Sequence, residues 1–120
     1  MSTVTERTRL LLVDHNRDRV GFLLRILRQR EFDVAAAESP ASARHLLAAQ
    51  PFSFALIEKA GIGLAVDILT RRAPIRPVIF TSGSLSEEEH EICRCHDLRV
   101  FERQFAASSL IAYLDGIRCQ

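Results

Sequence analysis

Five short apolar runs, each followed by a longer helix-type segment, predict an α/β fold in which a parallel sheet is covered by helices on both faces. Two further observations support it. The central runs are apolar without alternation, as strands buried on both sides must be, and several end on a chargeable or hydroxyl residue. The chain of 120 residues is read as one domain, 1–120, with its core between 9 and 118.

Leu10-Leu11-Leu12-Val13 is the first such run. From Asp18 to Arg30, Val20, Leu23, Leu24 and Leu27 recur at helical spacing, with Arg17, Arg19, Arg25 and Arg28 elsewhere around the axis. Phe32 to Ala37 reads as a second strand. Pro40 to Ala49 reads as a second helix with Ala43, Leu46 and Leu47 inward, Ser39 as its N-cap and Pro40 in its first turn. Phe54 to Ile57 and Pro77 to Phe80 are two more buried strands, separated by a loose turn at Gly61 and Gly63 and a helix from about Leu64 to Arg72. Ser86 caps a fourth helix running to about Cys95, with Glu89 where a capping box puts its carboxylate. Val100-Phe101 is a short fifth strand. Ser108 to Arg118 is a last helix with Leu110, Ile111, Leu114 and Ile117 inward. Right-handed crossovers between five βα units give the flavodoxin-like strand order 2-1-3-4-5, whose functional crevice lies beyond the carboxyl ends of the central strands.

Composition narrows the function. With 48% hydrophobic residues, 26% charged and a net charge of +1, the chain reads as an ordinary globular protein without the basic clustering that nucleic acid requires. No apolar stretch is long enough to span a bilayer, and residues 1–9 lack a signal-like apolar centre, so a cytoplasmic location is expected. Cys93, Cys95 and Cys119 are an odd set read as reduced thiols. His90, Cys93, Cys95 and His96 are dense, but Cys93 and Cys95 project in different directions on a helix, so no metal site is expected there. Gly61-Ile62-Gly63 does not follow the first strand and is no phosphate loop, and Thr81-Ser82-Gly83-Ser84 has no evident base except His15. Enzymatic activity is not expected.

The predicted strand ends carry Asp14-His15, then Glu58, then Thr81-Ser82, then Arg103-Gln104 with Phe105 after them. Over residues 9–118 this series resembles response-regulator receiver domains of the chemotaxis-regulator type. These carry an acidic pair after strand one, an acceptor aspartate after strand three, Thr or Ser after strand four and Lys-Pro after strand five. The resemblance implies two-component signalling and a pocket of Asp14, His15, Glu58, Thr81 and Arg103, in a degenerate form. Mg²⁺ prefers oxygen ligands, so His15 replaces the second carboxylate poorly and Mg²⁺ binding is expected to be weak or absent, with no other cofactor. Glu58 carries its carboxylate about 1.3 Å beyond the place of an aspartate's. Two readings of Glu58 stay open: a built-in mimic of phosphoaspartate, paired with Arg103 and Thr81, or a solvated ion pair in a decayed pocket. His15 with Asp14 and Glu58 is read as satisfied ion pairing, with a transition-metal site as the alternative.

Switching also looks altered. Val100 stands where receivers place a swinging aromatic, Lys59 to Gly63 lacks the usual proline-bearing turn, and the segment between strands three and four is short. The resemblance implies a partner face on the fourth helix, fifth strand and fifth helix, here with Ile92, Phe101, Phe105 and Tyr113, although Phe101 suits the core equally. The fourth helix has only a thin apolar stripe and is expected to be weakly anchored. The expected function is a phosphorylation-independent interaction module whose partner is a histidine kinase or another response regulator, with a homodimer possible. The alternatives are a still-switchable phosphoacceptor receiver and a small-ligand or metal-binding flavodoxin-like module.

Overall fold

The computed structural model describes residues 8–102 and 107–118. Five strands, β1 (Arg9–Val13), β2 (Asp33–Ala37), β3 (Phe54–Glu58), β4 (Arg76–Phe80) and β5 (Arg99–Phe101), alternate with five helices. The helices are α1 (Arg17–Gln29), α2 (Pro40–Ala49), α3 (Ile62–Thr70), α4 (Glu87–Cys95) and α5 (Ala107–Arg118). The strands form one parallel sheet in the order β2-β1-β3-β4-β5, the doubly wound arrangement read from the sequence.

Side-chain alternation divides the core into two layers. Leu10, Leu12, Phe54, Leu56, Val78 and Phe80 point to the face covered by α1 and α5, where Leu23, Leu27, Leu110 and Leu114 meet them. Leu11, Val13, Ala55, Ile57 and Ile79 point to the other face, against Ala43, Leu64, Ile68 and Cys93. Every residue of β3 is buried, which is why its sequence shows no alternation.

The helix starts follow their caps. Ser39 accepts from the Ser42 N–H ahead of Pro40, and Ser86 and Glu89 complete the capping box of α4. The third helix departs most from the sequence reading, by two residues at each end. A 3₁₀ turn, Lys59–Gly61, leads directly into α3 at Ile62, so Gly63 is helical. Gly61 is needed for close approach: a Cβ there would lie 2.8 Å from Ile57 Cγ2. Among the described residues no helix is long and apolar enough to cross a membrane.

Candidate functional site

Strand register assembles the site. Val13 pairs with Ile57 and Glu58 with Phe80, so Asp14, Glu58 and Thr81 emerge together at the carboxyl end of the sheet. The Asp14 N–H donates to the Ala37 carbonyl and the Thr81 N–H to the Phe101 carbonyl, each at 3.0 Å, which anchors both residues one step beyond their strands. All three are buried, although all three are polar. Burial at that cost requires partners.

Asp14 finds its partner in Arg19. Nε of Arg19 donates to Oδ2 at 2.5 Å and Nη2 to Oδ1 at 2.8 Å, a two-pronged fork; the Asn16 N–H adds a third donor to Oδ1 at 3.1 Å. Nη1 of the same guanidinium donates to Ser82 Oγ at 3.2 Å, so Arg19 ties the end of β1 to the loop after β4. Its pKa is raised, first by the hydrogen bond to Asp14, then by the charges of Asp14 and Glu58, with partial burial opposing. The sequence reading placed Arg19 away from the inward face of α1; the structure turns it into the pocket. The missed signal is spacing. Arg19, Leu23 and Leu27 recur every four residues, so Arg19 continues the stripe that Leu23 and Leu27 bury against the sheet.

Glu58 ends β3 at 8% exposure. Its Oε1 accepts from the Ala60 N–H at 2.9 Å, folding the carboxylate over the 3₁₀ turn as an N-cap. Thr81 Oγ1 accepts from the Gly83 N–H at 3.1 Å. Arg103 and Phe105, expected in the pocket and on the partner face, lie outside the described residues. His15 is exposed, with Nδ1 3.9 Å from Asp14 Oδ1, so the pairing expected of His15 falls chiefly to Arg19.

One ligand atom from each of Asp14, His15 and Glu58 lies within 4.8 Å of the other two, the one such grouping among the described residues. A cavity of about 30 Å³ touches all three together with Glu38 and Ser39. This set does not suit Mg²⁺, the ion receiver pockets imply. Both Asp14 oxygens already accept from N–H donors, His15 offers nitrogen, and a guanidinium charge stands beside them.

The loop between β4 and α4 is held from both sides. Lys59 Nζ donates to the Ser84 carbonyl at 3.0 Å and sits 3.9 Å from Glu89. Glu102 Oε2 accepts from the Leu85 N–H at 3.2 Å, and its other oxygen is 3.6 Å from His90 Nε2. Of the expected partner-face residues, Ile92 and Tyr113 are half-buried and Phe101 belongs to the core. Phe101 and Tyr113 stack edge to face at 5.7 Å, and the Arg99 guanidinium lies 5.0 and 5.1 Å from their ring centres.

No protein-family model matches the chain, and no curated protein matches it. Solved structures do. A response regulator receiver domain protein (CheY-like) from Methanospirillum hungatei superimposes with a TM-score of 0.84 at 16% identity, over 92% of this chain and 93% of that one. A response regulator receiver protein from Pseudomonas putida gives 0.83 at 21% identity, over 94% and 99%. An orphan response regulator of H. pylori gives 0.80 at 16% identity, over 92% and 98%. At such identities the likeness lies in the backbone: five parallel strands in the order 2-1-3-4-5 flanked by five helices are the fold of a response-regulator receiver domain.

Proposed function

We propose that the chain is an interaction module of two-component signalling that meets a histidine kinase or another response regulator without phosphate control. The observation that carries this reading is Glu58, a carboxylate buried at the end of β3 where a receiver's acceptor aspartate belongs, within the field of the Arg19 guanidinium. Glu58 places a carboxylate group there without any phosphoryl transfer. Burial and the bond from Ala60 favour a structured fixed charge over a solvated ion pair. The pinned β4–α4 loop agrees with a surface that is preset rather than switched. The partner surface is α4, β5 and α5, with Tyr113 as its aromatic residue.

Incubation with acetyl phosphate, or with beryllofluoride, in millimolar Mg²⁺ tests the reading. Unchanged mass and unchanged amide resonances at Asp14, Glu58 and Thr81 are expected. A phosphoryl adduct on any pocket carboxylate would establish the switchable alternative instead.

A further inference from the structure

We infer that Arg19 is a tethered replacement for the divalent cation, excluding metal from the pocket while making the ties a metal would make. A metal bound here must take a carboxylate oxygen of Asp14 and lie near Glu58. The Arg19 fork holds both oxygens of Asp14, whose side chain is buried, and leaves a second cation only the cavity of about 30 Å³ shared with His15 and Glu58. The guanidinium brings one positive charge into a cluster of two buried carboxylates, and its third nitrogen reaches Ser82 in the loop after β4. Strand end, acidic cluster and loop are joined by one side chain.

Arg19 also stands where local preference disfavours it. It is the third residue of α1, in the first turn, where the helix dipole favours acids and opposes a cation. Asp14 and Glu58 offset that opposition. A residue that contradicts its helix and satisfies a buried cluster is placed for the cluster.

The inference deepens the phosphate-independent reading and fails separately from it. Arg19→Met keeps an unbranched stem and removes the charge; Arg19→Lys keeps the charge and loses the fork. Each is titrated with Mn²⁺, reading paramagnetic broadening of the Val13, His15 and Ala60 amides, after circular dichroism confirms the fold. The wild-type chain and Arg19→Lys should show no saturable broadening at millimolar Mn²⁺. Arg19→Met should bind at least about 100-fold more tightly; removing a unit charge about 5 Å from a divalent ion at an effective dielectric near 20 sets an upper limit on the order of 10⁵-fold, which screening by water and salt reduces. Equal responses in wild type and Arg19→Met, whether both bind or neither does, overturn the inference. So does Arg19→Lys binding Mn²⁺ more tightly than Arg19→Met, because the retained charge must weaken binding. Should Arg19→Met not fold, Arg19→Gln takes its place with the same expectation, and saturable Mn²⁺ binding by the wild-type chain overturns the inference outright. Phosphoryl transfer to the wild-type chain without Mn²⁺ binding would sink the functional reading and leave this one standing.

Discussion

Two helices flank the same pocket and are held by different forces. α1 runs for 13 residues and buries Leu23 and Leu27 against Leu10, Leu12 and Phe54, with Val20, Leu24 and Ile26 packed at the margin. α4 runs for 9 residues, three of them acids in its first turn, and buries only Cys93 within its span. Polar ties compensate: the Ser86–Glu89 box, Lys59 to Ser84 and Glu89, and Glu102 to Leu85 and His90. α1 is therefore fixed by area removed from water, and α4 by bonds that exchange with water at little net cost. Of the two, α4 is the helix expected to open first. It also forms part of the proposed partner surface.

The contrast is broken most directly in the core. Leu27→Ala should cost about 2–5 kcal/mol of global stability, the range for a fully buried leucine, because Leu27 has no exposed surface. Cys93→Ala should cost well under half of that, because it removes one small sulfur group. Equal losses in urea unfolding would show that α4 is as deeply integrated as α1.

Next in size is the cap of α4. Ser86→Ala removes the acceptor for the Glu89 N–H and should cost about 1 kcal/mol, with the loss confined to α4. Hydrogen exchange checks it: amides from His90 to His96 should exchange faster while those of α1 stay unchanged. Cys93 gives an independent readout. Burial, assisted by the charges of Glu89 and Glu102, pushes its thiol pKa up, so it reacts slowly in the native state. In a Cys95→Ser/Cys119→Ser background, Ser86→Ala should accelerate labelling of Cys93. An unchanged rate would mean that opening of α4 does not limit access.

Acid should separate the helices further. The backbone N–H of Ser86 holds the Glu89 carboxyl below its usual pKa, with Lys59 assisting and desolvation opposing. A depressed folded pKa means that the contribution is present above the ordinary glutamate value, near about 4.3, and is lost as pH falls through the lower folded value. Amide protection in α4 should therefore decline below that range before protection around Leu23 and Leu27 does. Simultaneous loss in both helices would refute the separation.

The same contrast explains what the sequence could and could not convey. Strands whose every residue faces a core announce themselves as apolar runs, and β1, β3 and β4 were legible to within a residue or so. Ser39, Pro40, Ser86 and Glu89 announce caps because capping is local. Arg19 is hidden in the sequence because apolar residues mark an inward stripe, and this stripe ends on a charge. Lys59–Ser84 and Leu85–Glu102 escaped for another reason: they join residues 25 and 17 positions apart, and no periodicity reports such a contact. The start of α3 departs from expectation because two nearby glycines suggest a loose turn, whereas Gly61 is required by the nearness of Ile57 and Gly63 lies inside the helix.

The smallest expected effect concerns the helix ends, where the two helices agree. Glu31 follows α1 at φ 65° and Asp97 follows α4 at φ 53°, both in the left-handed region that favours glycine. Each closes the same paired bonds: Phe32 N–H to the Leu27 carbonyl with Glu31 N–H to Arg28, and Leu98 N–H to the Cys93 carbonyl with Asp97 N–H to Arg94. Phe32 and Leu98 are buried just beyond. Asp97→Gly and Glu31→Gly should each stabilise by about 0.5–1 kcal/mol, glycine's relief from the left-handed penalty less its extra chain entropy. Matching gains in thermal unfolding would place the whole difference between the helices in their middles and starts. A gain at Glu31 with a loss at Asp97 would instead show that the Asp97 side chain supports the end of α4, and the polar account of that helix would have to extend to its last turn.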